Sequence, residues 1–253
     1  MIKKFLFFLA LGITSFSTYA QSSDWNFGLS MGSSIPIGNY NSSDISQDKS
    51  GYAETGFFLD VSAFYEVNSS FSWVGKLRFN SNPIDNRSVY ERAVAQSYPP
   101  MGLDLEDSET TFNMNDWLSG ALLGGAQYRW NIYDTYFDVY AMIGLQIWFL
   151  PDYEMSNPNV PGKPGMTYVE SSEKDQTVGF ASLLGVAYNV PLKNNVMLRI
   201  NCDWSGSNVQ SSYSQNYVPN EITPASPVVQ VGEQEYSAFN SSVNVGIGLV
   251  YLF

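Results

Sequence analysis

Eight charged residues stand alone within otherwise apolar or small-residue stretches. Asp60, Glu66, Asp138 and Asp203 are acids, and Lys76, Arg78, Arg129 and Arg199 are bases. Carboxylates near bases are the raw material of acid–base catalysis, but none of the 253 residues is histidine. That absence removes Ser-His-Asp chemistry, imidazole metal sites and the usual neutral-pH general base. What remains for four acids and four bases is mutual neutralisation, because opposed ions with further hydrogen bonds persist where a single buried ion does not. A second cluster, Asp104, Glu106, Asp107 and Glu109, offers hard oxygen ligands of the kind Ca²⁺ takes. Its spacing does not match the EF-hand loop, and a solvated acidic surface accounts for it more simply. The single cysteine, Cys202, excludes an internal disulfide framework and reads as a small hydrophobe. No cofactor is expected.

The elements that carry these charges follow a period of two. In Trp25, Phe27, Leu29, Met31 against Asn26, Gly28, Ser30, Gly32, apolar residues alternate with polar or small ones, the pattern of a strand with two unlike faces. The pattern returns seven times. Its apolar faces centre on Leu59 and Val61, Leu77, Leu122, Ile143, Leu184, Ile200, and Val245 with Ile247. None of the eight apolar faces carries Asp, Glu, Lys or Arg, and all eight isolated charges fall on the opposite faces. Short connections near 68–70, 131–134 and 191–195 alternate with long ones near 36–54, 81–116, 150–176 and 206–236. This layout places Asp60 opposite Lys76 or Arg78, and Arg129 nearly opposite Asp138, close enough to interact.

An uncharged face suits lipid, since Arg or Lys facing the bilayer midplane costs about 2–4 kcal/mol. Aromatic residues fall at both strand ends, as interfacial anchoring requires. The expectation is all-β: an antiparallel up-and-down transmembrane barrel of eight strands, or ten if the second long loop hides a strand pair. Large inward groups (Lys76, Arg78, Tyr140, Met142, Trp148, Arg199) facing small ones (Gly125, Gly179, Ala181, Gly185, Gly246, Gly248) imply a filled lumen.

The chain opens MIKKFLFFLALGITSFSTYAQ, with a lysine pair, a short apolar core and a small residue at Ala20. That order is the pattern of a cleavable secretory signal over 1–20, leaving one barrel domain over 21–253. The formal net charge is −12 and becomes −14 once Lys3 and Lys4 leave with the signal. Such a chain repels nucleic acid. The four long loops hold 18 acids and 5 bases, so nearly all the surplus lies there. Tyr213, Tyr217, Pro219, Pro224 and Pro227 of the last loop either offer a contact surface for a partner or glycan or simply stiffen the loop.

The last strand reads Val243-Asn244-Val245-Gly246-Ile247-Gly248-Leu249-Val250-Tyr251-Leu252-Phe253. Leu249, Tyr251 and Phe253 at every second position, ending on Phe, resemble the C-terminal signal by which bacterial outer-membrane barrels are recognised by their assembly machinery. The whole of 24–253 resembles the small "porin family" barrels, similar in architecture to OmpX and the OmpA barrel. The resemblance implies a Gram-negative outer membrane, periplasmic termini, and lipid, lipopolysaccharide and the assembly machinery as partners. Barrels of this kind that act as enzymes rely on a histidine, and this chain has none, so no enzyme is expected. The leading functional expectation is a plugged barrel that acts structurally or binds an extracellular ligand through its loops. A narrow channel for small solutes is the alternative, and a membrane enzyme comes third.

Overall fold

The computed structural model describes residues 24–44, 50–89, 91, 111–151, 153–157, 168–172, 176–193, 195–217 and 229–253. Side chains are described within these ranges except at 111–113, 153–157, 168–172, 211–217 and 229–236. The expected signal segment, the acidic cluster 104–109 and the three loop prolines lie outside the described residues.

The barrel strands are β1 (Trp25–Ile37), β2 (Gly56–Glu66), β3 (Phe71–Asn82), β5 (Trp117–Ile132), β6 (Thr135–Phe149), β9 (Gln176–Pro191), β10 (Val196–Tyr217) and β11 (Val229–Leu252). Each pairs antiparallel with the next, and β11 returns to pair with β1, so the sheet closes. The result is a closed eight-stranded up-and-down barrel. Among the described residues no helix is long and apolar enough to cross a membrane.

Local chemistry sets the turns. At the β2–β3 turn the Asn68 side-chain oxygen accepts from the backbone N–H of Ser70 and of Phe71, each at 2.9 Å. This is how Asn substitutes for a backbone turn. The β5–β6 turn needs only Tyr133 and Asp134 between the paired Ile132 and Thr135. Tyr133 takes a positive φ of 53° there and is fully exposed.

Three short strands, β4 (Thr111–Met114), β7 (Tyr153–Asn157) and β8 (Tyr168–Ser172), lie outside the ring. β4 pairs with β7, β7 with β8, and β8 with the far end of β10. The second long loop therefore does contain a strand, but that strand joins a side sheet instead of widening the barrel to ten. The last long connection also differs from the expectation of a loop from residue 206. β10 and β11 stay paired as far as Tyr217 and Val229. Serine, glutamine, asparagine and glutamate dominate that stretch, so no alternation of apolar and polar residues marks it.

Burial runs inside out relative to a soluble barrel. Leu122 is 63% exposed and Ile143 74%, whereas Lys76 and Arg199 are each 6% exposed. Charged side chains line the inside and apolar ones face outward. The outward aromatics form two bands. Trp25, Tyr65, Trp73, Tyr128, Tyr188 and Tyr251 lie at the turn end, and Phe57, Phe79, Phe149, Phe180 and Phe239 at the loop end; all are exposed. Along β6 the bands are marked by Phe137 and Phe149. Twelve residues at about 3.3 Å each, tilted by about 40°, separate them by about 30 Å. That separation matches an apolar band of about 25 Å with its flanking girdles.

Candidate functional site: the lumen

Three groups of inward side chains fill the barrel. The group nearest the turns is built on Asp138, which is fully buried. Its partner across the β5–β6 hairpin is Arg129, and the two residues are directly opposed in register. Arg129 Nε donates to Asp138 Oδ1 at 2.9 Å, and Arg199 Nη1 donates to Asp138 Oδ2 at 2.9 Å. Asn189 Nδ2 adds a third bond at 2.7 Å. Arg199 also reaches Gln127 Oε1 at 3.1 Å and lies over the Phe64 ring. Glu66 accepts from Arg129 at 3.3 Å and from Asn26 at 2.8 Å, and its side chain is 35% exposed. Two acids and two bases make this group neutral.

The middle group pairs two acids with two bases as well and is more deeply enclosed. Asp60 faces Arg78 in register, while Lys76 faces Ser62. The strand pleat nevertheless brings both bases to Asp60. Arg78 Nε and Nη2 donate to its two oxygens at 2.7 Å each, and Lys76 Nζ donates to Oδ2 at 2.8 Å. The other edge of the Arg78 guanidinium crosses the lumen. Nη1 donates to Asp203 Oδ1 at 2.6 Å and Nη2 to Asp203 Oδ2 at 2.9 Å. β3 and β10 lie four strands apart in either direction around the ring, so this fork spans the barrel from wall to facing wall. Arg suits the position because its planar fork serves two carboxylates at once. Asp203 is completed by Tyr140 Oη at 3.1 Å and Asn244 Nδ2 at 3.0 Å.

Tyr140 fits because Gly185 faces it. A methyl group built on Gly185 would sit 2.5 Å from Tyr140 Cζ and 2.6 Å from Asp203 Cβ. Gly185→Ala is therefore expected to push Tyr140 off Asp203 and destabilise the barrel by about 1–3 kcal/mol, the range for overpacking. Urea unfolding in lipid vesicles measures this, and an unchanged midpoint would contradict the packing.

The third group closes the loop end and contains residues that the sequence did not mark. After β1 the chain turns through a 3-10 helix, Gly38–Tyr40. Gly38 adopts φ +64°, a conformation open to glycine. The turn drops Tyr40 into the mouth, where it is 2% exposed. Its ring packs edge-on against Trp117 at 5.7 Å and Trp148 at 5.5 Å, and those two indoles meet at 5.9 Å. Tyr40 Oη donates to Asn82 Oδ1 at 3.3 Å, and Trp117 Nε1 to the Gly51 carbonyl at 2.8 Å. Tyr40 lies outside the strands, where no period applies, and parity with Ser119 turns Trp117 inward without singling it out.

Apolar side chains also line the lumen, and among the larger ones the sequence marked only Met142 as inward. Leu123, Met142, Leu183 and Ala187 pack there with Val74 and Met197. Parity puts Leu123 and Leu183 inward beside the outward Leu122 and Leu184, but with leucine on both faces the residue type does not mark the lumen there as apolar.

Leu249 and Tyr251 point outward from β11, opposite Leu29 and Phe27 of β1. The Phe253 ring meets Phe27 edge-on at 5.6 Å and Tyr251 at 4.7 Å. Cys202 is free and exposed on the outer face. Among the described residues no group of three or more Cys, Asp or Glu is placed to hold a metal ion.

No curated protein matches the chain. Among solved structures, a major outer membrane protein from Thermus thermophilus aligns at 12% identity, covering 90% of this chain and 99% of that one, with a TM-score of 0.47. Ail, the attachment invasion locus protein of Yersinia pestis, aligns at 13% identity over 89% and 98%, with a TM-score of 0.42. Neisserial surface protein A aligns at 12% identity over 91% and 98%, with a TM-score of 0.38. The family model of the outer membrane protein beta-barrel domain matches residues 6–217, most of the chain. With a closed eight-stranded barrel, apolar outside and ionic inside, this chain belongs to the outer membrane protein beta-barrel family.

Proposed function

We propose that the protein is a barrel with a closed lumen, embedded in the bacterial outer membrane, that acts structurally or as a binding module through its loops, and not as a catalyst. The observation that carries this reading is the Arg78 fork, bonded to Asp60 on the neighbouring strand and to Asp203 across the barrel. A hydrated ion passing that level must part a doubly bonded, desolvated pair, and the Tyr40, Trp117 and Trp148 rings stand above it. With the lumen occupied, the surfaces left for partners are the lipid-facing wall and the acidic loop end. The turns and both termini face the periplasm and the long loops face outward, where lipopolysaccharide and an extracellular ligand are met. The C-terminal Leu249, Tyr251 and Phe253 present the assembly signal.

Planar-bilayer recording of the refolded chain tests the closed lumen. No steady conductance is expected. A stable unitary conductance would defeat the closed reading and promote the narrow channel.

A further inference from the structure

Between the aromatic cap and the Arg78 fork lies a small chamber. Its lining includes Tyr40, Asn80, Asn82, Gln146, Trp148 and Ser242. The chamber is narrow: a water-sized sphere has room there for about one position. Asn80 projects into it from β3, one inward step above Arg78, and is 9% exposed.

The hydrogen bonds around the chamber leave a gap at Asn80. Asn80 Nδ2 donates to Ser119 Oγ at 3.4 Å, and Gln146 Nε2 donates to the same oxygen at 2.9 Å. Asn82 is fully engaged: its oxygen accepts from Ser34 and Tyr40, and its nitrogen donates to the Ser34 and Glu54 carbonyls. Asn80 Oδ1 meets no donor among the described residues. A buried amide oxygen left in that state costs about 1–3 kcal/mol. Ser242 Oγ donates to Asn244 Oδ1 at 3.3 Å and contacts Ser205 Oγ at 3.0 Å, which leaves it acceptor capacity.

We propose that this chamber is an internal hydration site, in which a trapped water donates one hydrogen to Asn80 Oδ1 and the other to the serine pair. The lining carries no charged side chain and most of its oxygens are already engaged, so a small neutral donor fits where a metal cation does not. Tyr40 is the roof of the site.

A high-resolution crystal structure of the full chain tests it directly. Ordered solvent density is expected within hydrogen-bond distance of Asn80 Oδ1 and of a second lining group. An empty chamber, or an Asn80 amide turned onto a protein donor, would overturn the proposal. Asn80→Leu provides a second readout by urea unfolding in vesicles. If water completes the site, the leucine displaces it and strands its other partners, and the midpoint falls. If the amide oxygen is unpaired in dry space, its removal leaves the midpoint unchanged or raises it, and the proposal is wrong.

Discussion

Arg78→Met is expected to destabilise the barrel by about 3–5 kcal/mol, the cost of breaking a buried ion pair from one side. The Arg78 side chain is 1% exposed, so bulk water does little to soften the loss. Removing it leaves the middle group one positive charge short, with Asp60 and Asp203 sharing Lys76. Lys76 Nζ is 2.8 Å from Asp60 but 4.0 Å from Asp203, so Asp203 is the acid left short. This predicts which second change compensates. Arg78→Met with Asp203→Leu restores the charge balance and keeps the Lys76–Asp60 pair, and replacing a whole buried pair by apolar residues is often neutral or stabilising. The double variant is expected to recover most of the loss, and Arg78→Met with Glu66→Leu is not. Urea unfolding in lipid vesicles, followed by tryptophan fluorescence, gives the full cycle. Equal midpoints for Arg78→Met and the wild-type chain would mean that the fork contributes nothing to stability. Arg78→Lys should fall between, because an ammonium cannot present two edges to two carboxylates.

The second large effect concerns the outer wall. Ile143 is 74% exposed and lies midway between Phe137 and Phe149, which places it at the centre of the apolar band. Ile143→Arg is expected to cost about 2–4 kcal/mol in a bilayer, the range for a cation at the midplane of a barrel's lipid face. Tyr133→Arg is the matching control, because Tyr133 is fully exposed at the tip of the β5–β6 turn, beyond the band. It should leave stability within about 0.5 kcal/mol, the scatter of ordinary surface substitutions. A water-exposed outer wall would tolerate both changes alike. If vesicle refolding yields equal midpoints for Ile143→Arg and Tyr133→Arg, hydrocarbon does not surround Ile143.

Much of the interior could be read before any coordinates. Asp60, Lys76, Arg78 and Asp203 come together, as do Glu66, Arg129, Asp138 and Arg199, and each set balances its charge. Their common inward side follows from chain parity alone. The pairing of Arg129 with Asp138 follows from a short turn, since they stand nine positions apart across one hairpin. The Arg78–Asp203 fork could not be found that way. The two residues are 125 positions apart and meet only because closure sets β3 against β10 across the ring.

Sequence alone determined the face on which each strand residue stands, because alternation along an extended chain is a local property of the backbone. An uncharged face and a balanced ionic face then dictate which one meets lipid, since hydrocarbon does not solvate ions. Tertiary structure alone decided the cross-lumen partners, the descent of Tyr40 between Trp117 and Trp148, the packing of the lumen's apolar side chains into one cluster and the reach of β10 and β11 past the expected loop boundary. These depend on ring closure and on long-range packing, or lie in stretches where both faces have one character and no period is written.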